Sequence, residues 1–185
     1  EVSLDPELLG KVFENLLASY NPETQSTARK QTGSFYTPRE IVQYMVDESL
    51  TAHLKHTIGD GLEGEFRQLM NYTDEEMVLT EQQKSEVIKS LFSCKVMDPA
   101  CGSGAFPVGM LQQMVHILSR LDPENRLWKE IQKKEALVAT SIALDEDDET
   151  ARAEALAEIE RNFNNNLSRP DYARKLYLIE NCIYG

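Results

Sequence analysis

Long apolar runs are missing from this 185-residue chain, and so is a basic N-terminal stretch leading into an apolar one. The first absence excludes a membrane-spanning helix by length, and the second leaves nothing to direct export; the expectation is a soluble, cytoplasmic protein that needs no membrane. Cysteine is scarce. Cys94, Cys101 and Cys182 are odd in number and form no C-x-x-C pair, which argues for reduced thiols over a disulfide framework or a zinc site. Positive charge is also short: 19 Lys and Arg stand against 31 Asp and Glu, and a net charge of −12 repels a phosphate backbone. Arg29, Lys30 and Arg39 are a small local exception and read as ordinary solvated charges. Histidine offers little. His53 and His56 lie three apart on a helical stretch without a third ligand, and His116 sits in an apolar helix pattern, so no metal is expected. Ser103 has no base that sequence can place beside it, so no hydrolytic triad follows.

What is present is 41% hydrophobic and 27% charged residues, enough for one core with appendages. The most informative stretch runs from Lys95 through Asp98, Pro99, Ala100, Cys101, Gly102, Ser103, Gly104, Ala105 and Phe106. It reads as a short buried strand, a glycine-rich turn and the start of a helix. Gly102 and Gly104 suit a sharp turn that a ligand approaches closely, and the free N–H groups of the following helix favour an anion. Asp98 adds a carboxylate at the strand end. A dinucleotide fingerprint wants a third glycine where Pro107 stands, and the Walker ending is absent, so neither of those sites is expected.

These residues resemble motif I of the adenine-specific DNA methyltransferases. A second block, Gly33-Ser34-Phe35-Tyr36-Thr37-Pro38, resembles their motif X, which precedes motif I in this group. Two motifs in the expected order make the resemblance specific, and it points to restriction-modification enzymes of the type IIG and type I modification-subunit kinds. The resemblance implies a partial Rossmann-like α/β fold that binds S-adenosylmethionine. The implied cofactor residues are Phe35, Tyr36, Thr37, Pro38 and the run from Asp98 to Phe106, with the two segments forming one cleft. It also implies an Asn/Asp-Pro-Pro-Tyr/Phe block that holds a flipped adenine. No such block occurs; Asn21-Pro22-Glu23 lies before motif X and lacks the second proline and the aromatic. No catalytic residue is therefore expected here. The chain reads as an N-terminal or internal fragment, with DNA contacted by regions outside it.

Local signals complete the reading. Asp5-Pro6 opens a helix with Leu8, Leu9, Val12, Phe13, Leu16 and Leu17 on one stripe, ended at Asn21-Pro22, and the polar residues 23–32 read as a loop. Thr37-Pro38-Arg39-Glu40 reads as a capping box, opening a helix that buries Ile41, Val42, Met45, Val46, Ser49 and Leu50. Gly59, Gly61 and Gly64 break that pattern. Thr73 with Glu76 and Thr80 with Gln83 are further caps, the second opening a helix through Val87, Ile88, Leu91 and Phe92. After the glycine turn, Pro107, Leu111, Met114, Val115 and Leu118 share a face, and Asp122-Pro123 caps a helix with Leu127, Trp128 and Ile131. The acidic run 145–149 reads as a solvated helix start and not a calcium loop. A last helix over 172–180 turns Leu176 and Ile179 inward, and residues 182–185 begin a second strand, stopping just before the acidic residue that holds the ribose in the resembled family.

The expected organisation is a helical segment at 1–32, a methyltransferase part with both motifs at 33–120, a helical insertion at 121–174, and a truncated second strand region at 175–185. The fragment should be mostly helical around an incomplete sheet whose exposed edges favour self-association. Three readings of function remain open. They are a site-specific adenine methyltransferase of DNA, a methyltransferase for RNA, protein or a small molecule, and a non-catalytic binding or scaffolding module.

Overall fold

Helical periodicity dominates what this sequence builds. A computed structural model describes residues 37–73, 78–143 and 170–185, with the pieces 19–21 and 26–27 and the single residues 12, 150, 153, 154 and 157. Within them the order is β1 (Tyr20–Asn21), β2 (Ser26–Thr27), α1 (Arg39–Ile58), a 3-10 turn (Asp60–Leu62), α2 (Glu63–Met70), α3 (Glu81–Ser93), β3 (Val96–Met97), α4 (Ala105–Leu121), α5 (Arg126–Ala143), α6 (Pro170–Asn181) and β4 (Ile183–Tyr184). The described part is mostly helical with few strands. β1 and β2 pair antiparallel, β2 within residues 23–32, expected to be a loop, and β1 where the first helix was expected to end. Most of the N-terminal stripe, Gly33 to Tyr36, Glu76, the run 145–149 and the break 164–169 lie outside the described residues.

α1 is the central element, packed against α2, α3 and α4. Val42, Val46, Leu50 and Leu54 recur every fourth residue and are buried, together with Thr51. This row is narrower than the expected face. Ile41 and Met45 are about half exposed and Ser49 is exposed, because all three partner helices gather on the Val42 to Leu54 side. The expected capping box at Thr37 does not form. Extended Pro38 is itself the N-cap, its carbonyl accepting from the Ile41 and Val42 N–H groups, so Glu40 falls on the second helical position and no side chain caps the helix. The box at Thr80 does form: Thr80 Oγ1 accepts from the Gln83 N–H at 3.2 Å and Gln83 Oε1 from the Thr80 N–H at 2.8 Å.

The glycine break is shorter than expected, since α1 ends at Gly59 but Gly64 lies inside α2. Phe66, Leu69 and Met70 of α2 are buried, and its last carbonyls are met by α4. Gln113 Nε2 donates to Met70 O at 2.7 Å, Arg120 donates to Gln68 O and Asn71 O at 2.9 and 3.0 Å, and His116 Nε2 lies 3.1 Å from Asn71 O. The orphan acceptors of one helix end are thus satisfied by a polar row on its neighbour. On the outer surface Lys55 bridges Asp60 and Glu63, and Arg67 bridges Glu48 and Glu63.

β3 and β4 pair parallel, Val96 with Ile183 and Met97 with Tyr184. The Val96 N–H donates to Cys182 O at 2.7 Å and the Asp98 N–H to Tyr184 O at 2.9 Å. The strand is not buried as expected: Met97 is 75% exposed, because the face it turns to is uncovered.

Asp122 organises the far end. Its Oδ1 accepts from the Arg126 N–H at 2.8 Å and its Oδ2 from the Trp128 N–H at 2.9 Å, which bears out a cap at this position. Fully buried Arg174 of α6 donates to Asn125 Oδ1 at 2.6 Å and to Asp122 O, with Nη2 3.7 Å from Asp122 Oδ2. This contact corrects the expected face of α6. Leu176 and Ile179 are 40% and 52% exposed, while Arg174, Leu178 and Cys182 point in, since the buried ion pair rotates the helix that way. Phe92 stacks on Tyr177 at 4.3 Å, and Trp128 meets both edge-on at 5.1 and 5.3 Å.

Asp122→Ala removes two N–H acceptors and strands the buried guanidinium of Arg174, so urea unfolding should show a loss of about 3–5 kcal/mol. Burial also pushes the Cys94 thiol up to about 11 and the Tyr177 phenol up to about 12. Both folded values lie above the ordinary 9.0 and 10.0, so their contribution to stability is fully present below about pH 9. It is lost as pH rises through 11 to 12, which denaturant midpoints measured between pH 7 and pH 12 should show.

Candidate functional site

The parallel pair brings the chain to a turn it must make sharply. β3 ends at Met97, Asp98 Oδ1 accepts from the Ala100 N–H at 3.1 Å, and the Gly104 N–H closes on Cys101 O at 2.7 Å. Gly102 at φ +53° and Gly104 at φ +82° occupy the left-handed region that side chains rarely adopt, which is why glycine stands at both positions. Gly104 is the N-cap of α4 and offers no side chain to it. The third residue of α4, Pro107, has no N–H, and the Val108 N–H returns to Gly104 O at 2.9 Å. Among the described residues, the Ala105 and Phe106 N–H groups have no partner. They carry the partial positive charge of the helix N-terminus.

The turn is open. Pro99, Ala100, Gly102 and Ser103 are exposed, and Asp98, Cys101, Gly104, Ala105 and Phe106 are half-buried. A Cβ added at Gly102 would stand 3.8 Å from Ala100 O and one at Gly104 3.9 Å from Val108 Cγ2, both ordinary contacts. Beneath it passes Gly185, a position that sequence reasoning did not single out. A Cβ there would stand 3.0 Å from Cys101 Cβ and 3.5 Å from Asp98 O, so the backbone after β4 runs against the floor of the turn. A strand ending in glycine was the available signal.

The second expected segment is only partly described: Phe35 and Tyr36 lie outside the described residues, whereas Thr37 and Pro38 are exposed at the start of α1. Their placement relative to the turn follows from the helix register. A Cβ on Gly109 of α4 would meet Val42 Cγ1 at 2.8 Å and Val46 Cγ2 at 3.4 Å, and Gln43 Nε2 donates to Gln113 Oε1 at 3.1 Å. Five residues beyond Gln43, Glu48 holds Arg67 of α2, and the carbonyl of the adjacent Gln68 takes Arg120, seven residues beyond Gln113, so α1 and α4 run in the same sense. Val42 stands four residues beyond Pro38 and Gly109 five beyond Gly104, about 6 and 7.5 Å along each helix. Both N-caps therefore sit near one level at the same end of the helix pair.

The remaining sequence candidates are elsewhere. His53 Nε2 lies 3.0 Å from Ser90 Oγ between α1 and α3, His56 is exposed, and His116 stacks on Tyr72 at 3.9 Å. Among the described residues no group of His, Cys, Asp and Glu could hold a metal ion, and no helix is long and apolar enough to cross a membrane.

Comparison with known proteins adds two matches. The model of the N-6 DNA Methylase family matches residues 4–87, which include the Gly33 to Pro38 block, α1 and α2 but stop short of Asp98. A Methanocaldococcus jannaschii protein named as a type II restriction enzyme and methyltransferase is 26% identical over 129 residues, 65% of this chain. That alignment takes up 11% of the relative's length. No solved structure gives a significant match. Both matches support reading the chain as similar to part of an N6 DNA methyltransferase.

Proposed function

We propose that this chain forms the cofactor side of a site-specific DNA methyltransferase of a restriction-modification system, using S-adenosylmethionine to methylate N6 of adenine. The observation that carries the reading is the Asp98 to Gly104 turn, open above, with two partnerless N–H groups at the head of α4. An amino-acid carboxylate fits such a place, since its charge meets the helix N-terminus and no side chain at Gly102 or Gly104 blocks its approach. Bound S-adenosylmethionine would supply an electrophilic methyl group on its sulfonium.

The chain's own residues then divide the work. Ala105 and Phe106 offer N–H groups to the carboxylate, and Asp98 fixes the turn through the Ala100 N–H. Pro99, Ala100, Cys101 and Ser103 line the turn, and the role that the resemblance implies for Phe35, Tyr36, Thr37 and Pro38, which precede α1 in the sequence, is to cover the methionine end. On this reading β3, α4 and β4 are the beginning of a Rossmann-like sheet, and residues 121–174 are a helical insertion in its crossover. The long connection between two parallel strands supports that division. The acidic surface supports a DNA contact made by other regions of the polypeptide, with no role for a membrane. The open edges of the β3–β4 pair support self-association of the isolated chain, and a DNA substrate supports a cytoplasmic setting.

In the intact polypeptide that carries this chain, labelled methyl groups should pass from S-adenosylmethionine to adenine in duplex DNA. Gly104→Asp should lower that rate by about two orders of magnitude, because it strains a φ of +82° and misplaces the carboxylate that its own charge repels. Undiminished transfer, or transfer to a different acceptor, would reject the reading. Titration calorimetry on residues 1–185 alone should show weak binding or none, since two N–H groups on an open turn give the cofactor few contacts. Cysteine alkylation gives an independent check. Cys101 is half-buried at the turn, whereas Cys94 and Cys182 are buried with thiols pushed up by burial. Iodoacetamide at pH 8 should modify Cys101 first, and S-adenosylmethionine should slow that reaction in the intact polypeptide.

A further inference from the structure

The contact between α1 and α4 is built more tightly than burial of apolar surface requires. Gly109 brings the α1 surface so near that a Cβ would stand 2.8 Å from Val42, closer than atoms normally pack. One turn further on, the fully buried Gln113 spends its side chain on three partners from two other segments. Its Oε1 accepts from Gln43 Nε2 at 3.1 Å and from the Tyr72 hydroxyl at 2.8 Å, and its Nε2 donates to Met70 O at 2.7 Å. Gln43 also donates to Asp47 at 2.8 Å, whose carboxyl is pushed up by burial.

A buried amide with every partner in place tolerates little sliding, because a shift of one residue would leave polar groups unpaired in the core. Packing alone would permit it, since Val42, Val46 and Leu50 form a repetitive ridge that fits a groove in more than one register. Gly109 and Gln113 remove that freedom from opposite sides. The glycine admits α1 only where Val42 stands, and the amide holds it there. Other polar ties of α1, such as His53 to Ser90 and Glu48 to Arg67, run to α3 and α2, whereas the Gln43–Gln113 bond joins it to the helix that carries the turn.

We infer that Gly109, Gln113 and Gln43 are positioning residues that set the axial level of Thr37 and Pro38 against the Asp98 to Gly104 turn. They touch no ligand. They act on the site by fixing one wall against the other, so the inference rests on the proposed cofactor site and deepens it.

The test measures the dissociation constant for S-adenosylmethionine in the intact polypeptide, beside thermal unfolding of each variant. Gly109→Ala, which pushes α1 away, and Gln113→Leu, which frees Gln43 and Tyr72, should each weaken binding tenfold or more. Gln43→Leu, at a partly exposed position that keeps the protein folded, should weaken it severalfold, and its effect should vanish in the Gln113→Leu background. Leu54→Ala is the control. It opens a cavity at the far end of α1 and should lower the melting temperature while leaving the dissociation constant within twofold of the parent. Wild-type affinity in folded Gly109→Ala and Gln43→Leu would overturn the inference, as would equal weakening by Leu54→Ala. Failure of the unaltered polypeptide to bind S-adenosylmethionine at all would overturn the proposed function first, and this inference with it.

Discussion

Two parallel strands of two residues each cannot hold themselves together, and everything at the glycine turn depends on their doing so. Their register fixes where Asp98 leaves the sheet and where Gly185 passes under Cys101. The support comes from the helices that deliver each strand. α3 leads into β3 through Cys94, and α6 leads into β4 through Cys182, both buried, and the two helices meet through the Phe92–Tyr177 stack. Trp128 of α5 closes the cluster edge-on. The aromatic contact therefore acts as the clamp, and the strand pairing is its consequence.

The same dependence extends to the buried ion pair. Arg174 holds α6 against the start of α5 by bonding Asp122 and Asn125, and this sets the rotation that turns Leu178 and Cys182 inward. A charge so deep is a costly way to join two helices, yet it specifies one orientation where an apolar contact would allow several. A rotation of α6 by one residue would withdraw Cys182 from the core and pull β4 off β3.

Which features were legible in the sequence follows from where their causes lie. The turn was legible because its cause is local: a backbone that must adopt positive φ selects glycine at 102 and 104 whatever surrounds it. The Thr80 box and the Asp122 cap were legible for the same reason, each resting on residues within a few positions. The face of α6 was not. Its pattern offers Leu176 and Ile179 as the apolar side, and only Asp122, far away in the chain, reveals that Arg174 is the residue to bury. Gln113 was hidden likewise, since an amide in an apolar helix looks like the exposed edge until Gln43, Tyr72 and Met70 are seen to surround it. At α1 the error was one of phase: Thr-Pro-x-Glu fits a capping box, but extended Pro38 takes the N-cap itself. The cofactor-site expectation at Phe35 and Tyr36 lies outside the described residues, so what the structure adds there is the level of α1.

Electrostatics constrains how such a unit can serve an enzyme that acts on DNA. Lys55 of α1 and Arg67 of α2 are already engaged by Asp60, Glu63 and Glu48. Turning them toward phosphates would leave those carboxylates exposed to like charge, so the net charge of −12 is reinforced locally and not relieved. An acidic body of this kind repels a duplex. On the proposed reading that is an advantage at the glycine turn, because the helix N-terminus there favours an anion of its own. A small carboxylate can enter and reach the Ala105 and Phe106 N–H groups, while the surrounding acidic surface disfavours the polyanion that would compete for them.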